Sequence, residues 1–252
     1  MLAVGAAAIA VAGAAVWALT PRTEVSAASS QPRQSVTSSV AATATGERPA
    51  TRPITDDVTT ADYLRSGVAA YNSGDLAAAE AKLAEAVRTD PNDAEALDHL
   101  GQVLVRAGKA RDAIQYFDRA IALSQGEWKY RFNRARAFSE VQEWALAIAG
   151  YEDAVRLFPG DYVTHFNLAK TRESSGDLPG AIESYRKAVE LAPGQADFHL
   201  WYGRALDRAG RSKDAVAAYK QFLELEPSAP QAEKVRARLV ELGEPAGERK
   251  AS

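Results

Sequence analysis

The stretch that decides the fold is residues 162–195, YVTHFNLAKTRESSGDLPGAIESYRKAVELAPGQ, because its spacing of small, aromatic and turn residues recurs along the chain. The turn near its centre is Ser175-Gly176-Asp177. The same kind of turn is found at steps of 34 residues, with no insertion or deletion between the copies, centred on Gly74, Gly108, Gln142 and Gly210. A fixed period of this length is the sequence signature of a helical-repeat array.

Further series of residues keep the same period. Five residues after each turn centre comes an alanine, four residues later a large apolar or aromatic residue, and three residues after that a small residue in most units. The series are Ala79, Ala113, Ala147, Ala181 and Ala215; Leu83, Phe117, Tyr151, Tyr185 and Tyr219; and Ala86, Ala120, Ala154, Ala188 and Phe222. A small residue also lies seven positions before each turn centre: Gly67, Gly101, Ala135, Ala169 and Gly203.

Each unit is therefore predicted to be two helices joined by a tight turn. Glycine at the turn centre tolerates the left-handed conformation that ends a helix, and the prolines that close most units stop the second helix. The small residues let the two helices approach closely, while the aromatic series fills the space between units. Because one helix pair cannot bury its apolar face alone, neighbouring units must stack.

The pattern resembles the tetratricopeptide repeat family over five units: 60–93, 94–127, 128–161, 162–195 and 196–229. The resemblance implies an all-α fold, a right-handed α-solenoid superhelix whose concave face is lined by the first helix of each unit and binds a protein or peptide. Three positions depart from the family pattern, with Gln142 at a turn glycine, Gln125 at a closing proline and Phe222 at a small alanine. Residues 230–242 are predicted to form a capping helix, because their apolar residues share one face, and residues 243–252 a disordered tail.

The N-terminal region differs from the repeats. Residues 1–19 are uncharged and rich in Ala, Gly and Val, and such a segment can just span a bilayer, so it is predicted to be a transmembrane anchor or a signal peptide. Val25-Ser26-Ala27 fits a signal-peptidase cleavage site. Residues 20–59 are rich in Ser, Thr, Ala and Pro and are predicted to be a disordered linker. We expect a bacterial, single-pass membrane-anchored protein with its repeats on the periplasmic side, or a form secreted after cleavage near Ala27.

The composition argues against several function classes. The net charge of −3 gives no dense basic surface for nucleic acid. Cysteine is absent, which excludes disulfides, thiolate metal sites and cysteine nucleophiles. The histidines His99, His165 and His199 lack metal-ligand spacing, and the last two lie 34 residues apart at a position that the family usually fills with a packing aromatic residue. We expect no cofactor, no metal and no enzymatic activity.

The first helices of units three to five predict a binding surface. Stepping along each helix by four and three residues gives an apolar stripe of Phe132, Phe166 and Leu200 and a basic stripe of Arg136, Lys170 and Arg204. The family resemblance implies that Asn133 and Asn167 clamp the backbone amide of a ligand. The hypothesis is that these units bind an extended segment with acidic and apolar side chains, since arginine recognises carboxylates and rings supply anchoring area.

An alternative is that this face is only a solvated helix surface, on which Glu140, Glu173 and Asp207 neutralise the basic stripe. In the same helical register, Trp201 lies at the rim of the binding face, where it either anchors a partner or packs on unit four. A co-chaperone role is not expected, because the subclass that binds chaperone tails needs lysine at Leu64, Asp98 and Phe132.

The sequence favours a scaffold of the cell envelope that recruits a protein partner and touches the membrane through its N-terminal segment alone. The alternatives are a soluble exported adaptor, a self-associating structural protein and an accessory domain of an enzyme complex.

Overall fold

The computed structural model describes residues 58–244. The predicted N-terminal segment, nearly all of the predicted linker and most of the predicted tail lie outside these residues. The described helices are α1 Thr60–Ser73, α2 Leu76–Thr89, α3 Ala94–Arg106, α4 Ala110–Leu123, α5 Trp128–Glu140, α6 Trp144–Leu157, α7 Tyr162–Ser174, α8 Leu178–Leu191, α9 Ala196–Arg208, α10 Ser212–Leu225 and α11 Ala232–Glu241. Across residues 58–244, no helix has both the length and the apolar character that crossing a membrane requires.

The prediction of an all-α array of five helix–turn–helix repeats followed by a C-terminal helix is confirmed. Consecutive helices pack against each other along the array. The first helices also meet directly, since α1 contacts α3, α3 contacts α5 and α5 contacts α7. The first helices of successive repeats therefore lie side by side and form a common face.

Acidic side chains fix where five of the eleven described helices begin. The carboxylates of Asp75, Asp93, Glu127, Asp161 and Asp177 each accept a hydrogen bond from a backbone amide in the first turn of the helix that follows. These bonds satisfy amide groups that have no partner inside the helix, and the negative charge interacts favourably with the helix dipole. The starts of the second, third and fourth repeats are thus encoded locally, whereas Gln195 at the start of α9 makes no such bond.

The two helices of a repeat approach each other most closely at the small residue of the first helix. A β-carbon added at Gly101 would lie 2.6 Å from Cε1 of Phe117, and one at Gly203 would lie 2.7 Å from Cδ1 of Tyr219. Both rings are buried. Only glycine permits this contact between backbone and ring, which explains the series of small residues seven positions before each turn.

The C-terminal helix α11 completes the core at one end of the array. Phe222, the residue that departs from the alanine series, is fully buried in the same cluster as Ala232, Val235 and Leu239 of α11. The larger side chain occupies space that the next repeat would otherwise fill. The departure therefore marks the point where the repeats stop.

His165 and His199 have structural positions, as the sequence indicated. Both are buried. Nε2 of His165 lies 3.0 Å from the carbonyl oxygen of Pro159, and Nε2 of His199 lies 2.8 Å from that of Pro193. Each imidazole thus ties the start of a first helix to the proline that closes the preceding repeat.

The hydrophobic core is least extensive around the third repeat. One large core cluster covers the first two repeats and another covers the last two with α11, whereas the cluster built around Ala135 and Tyr151 has few members. Within residues 58–244, the buried side-chain atoms with no hydrogen-bond partner in the protein are Nε of Arg134 and Nε of Arg136, both in this repeat. An unsatisfied buried donor costs about 1–3 kcal/mol.

The turn of the third repeat adds backbone strain. Gln142 has a φ of 62°, in the left-handed region, and is the non-glycine residue with a positive φ among those described. The equivalent positions in the other four repeats are Gly74, Gly108, Gly176 and Gly210, which also have positive φ. A residue with a β-carbon is disfavoured in this conformation by about 1 kcal/mol.

We expect Gln142→Gly to raise the free energy of unfolding by about 0.5–1 kcal/mol, because it removes this strain at an exposed position. Urea denaturation followed by circular dichroism measures the change. The matched reverse substitution, Gly176→Gln, introduces the same strain in the fourth repeat and should lower the stability by a similar amount. Equal stabilities of Gln142→Gly and the wild type would contradict the assignment of strain to this turn.

Candidate partner-binding surface

The predicted basic residues are distributed along the face that the first helices form. Arg136 lies in α5, Lys170 in α7 and Arg204 in α9, at equivalent positions of successive repeats. Lys170 is exposed, and Arg136 and Arg204 are partly exposed. We call these three residues the basic row, and the outward side of α5, α7 and α9 that carries them the first-helix face.

No cation of the basic row forms an ion pair with an acidic residue among the described residues, although the charge of Arg136 acts on the buried carboxyl of Asp98. Two of them lie against aromatic rings instead. Nζ of Lys170 is 5.9 Å from the ring centre of Phe166 and 5.8 Å from that of Trp201, while Cζ of Arg204 is 5.3 Å from the Trp201 ring centre. Contacts at these distances between a cation and an aromatic ring are attractive but leave the charge uncompensated.

Two of the three acidic residues that could neutralise the basic row, Glu173 and Asp207, are engaged elsewhere, whereas Glu140, four residues after Arg136, is exposed. Glu173 pairs with Arg208 of the next repeat and accepts a hydrogen bond of 2.9 Å from the hydroxyl of Tyr185. Asp207 accepts hydrogen bonds of 2.7 and 2.8 Å from Arg238 of α11, which lower the pKa of this carboxyl. The interpretation in which Glu173 and Asp207 neutralise the row is therefore not the arrangement in the structure.

The rings of Phe132 and Phe166 are held in place by packing against other aromatic rings on their inner side. Phe132 lies edge-on to Tyr151, with ring centres 5.6 Å apart. Phe166 lies 5.6 Å from Tyr185 and is stacked on Phe198 at 4.6 Å. Both are partly exposed, so each presents a rigid apolar surface beside a cation on the next turn of its helix.

The prediction that Leu200 continues the apolar stripe is wrong. Leu200 is only 2% exposed and belongs to the core cluster of the last two repeats. It has the register of Phe132 and Phe166, but its shorter side chain ends inside the core, whereas a phenyl ring reaches the surface. The partly exposed aromatic residue in this part of α9 is Trp201, the next residue along the chain.

The two asparagines have their amide groups occupied within the protein. Asn133 is 7% exposed, and its Nδ2 donates to Oδ1 of Asp98 at 2.9 Å and to Oδ2 at 3.2 Å. Nδ2 of Asn167 donates to the carbonyl oxygen of Val163 at 2.8 Å. Each asparagine therefore has its side-chain carbonyl oxygen left to accept a hydrogen bond from the backbone N–H of a ligand.

Asp98 connects the second and third repeats, a role that helical periodicity did not predict. Besides Asn133, Nε2 of Gln102 donates to its Oδ2 at 2.7 Å. Asp98 is buried, and burial raises the pKa of its carboxyl, while the hydrogen bonds from Asn133 and Gln102 and the charges of His99 and Arg136 act in the opposite direction. The carboxylate holds the Asn133 side chain in a single orientation at the edge of the first-helix face.

A stack of helix pairs whose shared face carries unpaired cations and rigid rings defines a helical-repeat scaffold for protein–protein interaction. The sequence model of the tetratricopeptide repeat family matches residues 64–127, 99–162, 132–196, 166–232 and 202–250. The chain belongs to the tetratricopeptide repeat family, whose members bind protein or peptide partners. Comparison with curated proteins gives no significant match by sequence.

Solved structures with the same architecture are numerous. A crystal structure of MamA protein is 26% identical, with a TM-score of 0.61 over 70% of this chain and 95% of that chain. PilF of Pseudomonas aeruginosa is 19% identical, with a TM-score of 0.65 over 73% of this chain and 84% of that chain. YrrB, described as a TPR protein with an unusual peptide-binding site, is 18% identical, with a TM-score of 0.60 over 74% and 98%. The likeness to PilF and YrrB concerns the fold alone.

We expect Asp98→Asn to change how stability depends on pH. The pKa of Asp98 is raised in the folded protein, so as pH rises the unfolded chain releases this proton at a lower pH than the folded chain does. Between the ordinary carboxyl pKa and the raised pKa, the free energy of unfolding of the wild type therefore decreases with increasing pH. Asparagine cannot ionise, so the variant should gain stability relative to the wild type over this window and keep the gain above it. Urea denaturation of both proteins from about pH 3 to 7 tests this. Parallel stability curves would show that Asp98 titrates normally.

Proposed function

We propose that this protein is a scaffold of the bacterial cell envelope whose first-helix face in repeats three to five binds an extended partner segment with acidic and apolar side chains. The observation that carries the proposal is the basic row, whose three cations form no ion pair with an acidic residue among the described residues. A partner's carboxylates would supply the missing counter-charges.

Charge complementarity favours an acidic partner. A carboxylate that reaches Arg136 or Arg204 can form charge-assisted hydrogen bonds with the guanidinium, and these are stronger than the contacts with aromatic rings that the cations make without a ligand. The acidic residues nearest to Lys170 and Arg204 along the chain are bound to Arg208 and Arg238, so little repulsion from free carboxylates opposes the approach of such a ligand.

The rings supply the apolar part of the recognition. Phe132, Phe166 and Trp201 are partly exposed and are held by packing against the core. Anchors that are rigid before binding lose little conformational freedom when a ligand covers them, so their buried area contributes more fully to affinity. Asn133 and Asn167 would accept hydrogen bonds from the backbone of the ligand and hold it extended along the face.

The comparisons support binding of a protein or peptide partner. YrrB shares the fold and is described as having a peptide-binding site, which makes a peptide ligand a reasonable partner class for the present face. The placement at the envelope rests on the apolar residues 1–19 and the Ser/Thr/Ala/Pro-rich linker, which together would hold the repeats close to a membrane surface.

The combined substitution Arg136→Ala, Lys170→Ala and Arg204→Ala should weaken partner binding roughly three- to a hundredfold, given about 0.2–1 kcal/mol for each ion pair. Crosslinking pull-down identifies the partner, and anisotropy titration of its fluorescent acidic segment then gives the dissociation constant. The matched control is Arg111→Ala with Lys213→Ala, two exposed residues of α4 and α10 that lie on second helices. A dissociation constant unchanged by the first variant would exclude the basic row as the binding site.

Cell fractionation combined with N-terminal sequencing tests the placement at the envelope. We expect the full chain in the membrane fraction and its repeats accessible to protease from the periplasmic side. A mature protein that starts near Ala28 would instead identify a secreted, soluble adaptor. Recovery of the intact chain in the cytoplasmic fraction would contradict both forms.

A further inference from the structure

The basic row repeats at equal intervals along the array. Its members occupy the same position in three successive repeats, 34 residues apart. The first helices that carry them are packed neighbours: α5 contacts α7, and Lys170 of α7 reaches the ring of Trp201 in α9. Axes of packed helices are about 8–10 Å apart. The cations of the row therefore follow one another at steps of roughly 10 Å.

A polypeptide in the polyproline II conformation matches this step. It rises about 3.1 Å per residue and turns once in three residues, so every third side chain lies on the same side at intervals of about 9 Å. In a β-strand, by contrast, residues three apart point to opposite faces. An acidic residue at every second or every fourth position would move out of register with the cations within two repeats.

The arrangement of rings and cations supports the same geometry. In α5 and α7 a phenylalanine lies four residues before the cation, so Phe132 and Phe166 stand one helical turn from Arg136 and Lys170. In α9 the ring of Trp201 lies beside Arg204, with the Arg204 Cζ 5.3 Å from the ring centre. A row of rings thus runs alongside the row of cations, and a ligand between them can direct carboxylates to one row and apolar side chains to the other.

We propose that the first-helix face recognises a segment with an acidic residue at every third position, Asp/Glu-x-x-Asp/Glu-x-x-Asp/Glu, bound in the polyproline II conformation. The proposal rests on the proposed function, because it specifies the ligand of that same face.

Trp201 is the positioning residue of this recognition. Its ring holds Lys170 and Arg204 near one place, at 5.8 and 5.3 Å from its centre, so these side chains lose less freedom when carboxylates arrive.

The test compares three fluorescent peptides of equal length, composition and net charge, with acidic residues at every third position, at every second position, or at every fourth position. Each is titrated against the full chain at low salt by anisotropy. The peptide with acidic residues at every third position should bind roughly five- to tenfold more tightly than the other two, because only it engages all three cations.

Two variants assign the preference to the basic row. Lys170→Ala removes the central cation and should reduce the difference between the peptides to less than about twofold. Lys213→Ala removes an exposed lysine of α10 and should leave the difference unchanged. Trp201→Ala should weaken the peptide with every third residue acidic more than the others, whereas Trp201→Phe, which keeps a ring, should restore most of the preference.

The possible outcomes separate this inference from the proposed function. Equal binding of the three peptides that the triple alanine variant abolishes would overturn the spacing and leave the proposed face intact. A preference that persists in Lys170→Ala would also overturn the inference, because residues other than the basic row would then recognise the spacing of the acidic side chains. Failure of all three peptides to bind would count against both the inference and the acidic ligand.

Discussion

The structure depends on the close contact between a small residue of each first helix and a bulky residue of the second helix. At Gly101 and Phe117 this contact leaves no room for even a β-carbon. The constraint fixes the rotation of the first helix about its own axis, and with it which residues point inward to the core and which point outward. The same contact recurs every 34 residues, so the outward face is reproduced in each repeat.

The first-helix face is a direct result of this repetition. Once the rotation of each first helix is fixed, positions 34 residues apart become neighbours in space, and three cations that are distant in sequence form one row. Two of the acidic residues that could have cancelled their charge, Glu173 and Asp207, pair instead with Arg208 and Arg238 of the following repeat and helix. Within the described residues, the network that joins successive repeats therefore also leaves Lys170 and Arg204 without an ion-pair partner.

Much of the fold could be predicted from the sequence, because turn glycines, small residues and aromatic residues at a fixed period constrain helix ends and core together. The same reasoning placed His165 and His199 in the core. It failed at Leu200, where side-chain length rather than register decides exposure. It also missed the bond between Asn133 and Asp98 and the partners of Glu173 and Asp207, because helical periodicity describes neighbours within one helix and carries no information about which polar groups meet across repeats.

The strained turn and the unsatisfied donors of the third repeat have a mechanical consequence. In a linear array each repeat is supported only by its neighbours. A pulling force acts on all repeats equally, because they are connected in series, and the array therefore yields first at its least stable point. The strained turn at Gln142 and the unsatisfied donors of Arg134 and Arg136 make the third repeat that point. The third repeat would unfold and extend first, while the last two repeats, which share a large hydrophobic core with α11, would remain folded.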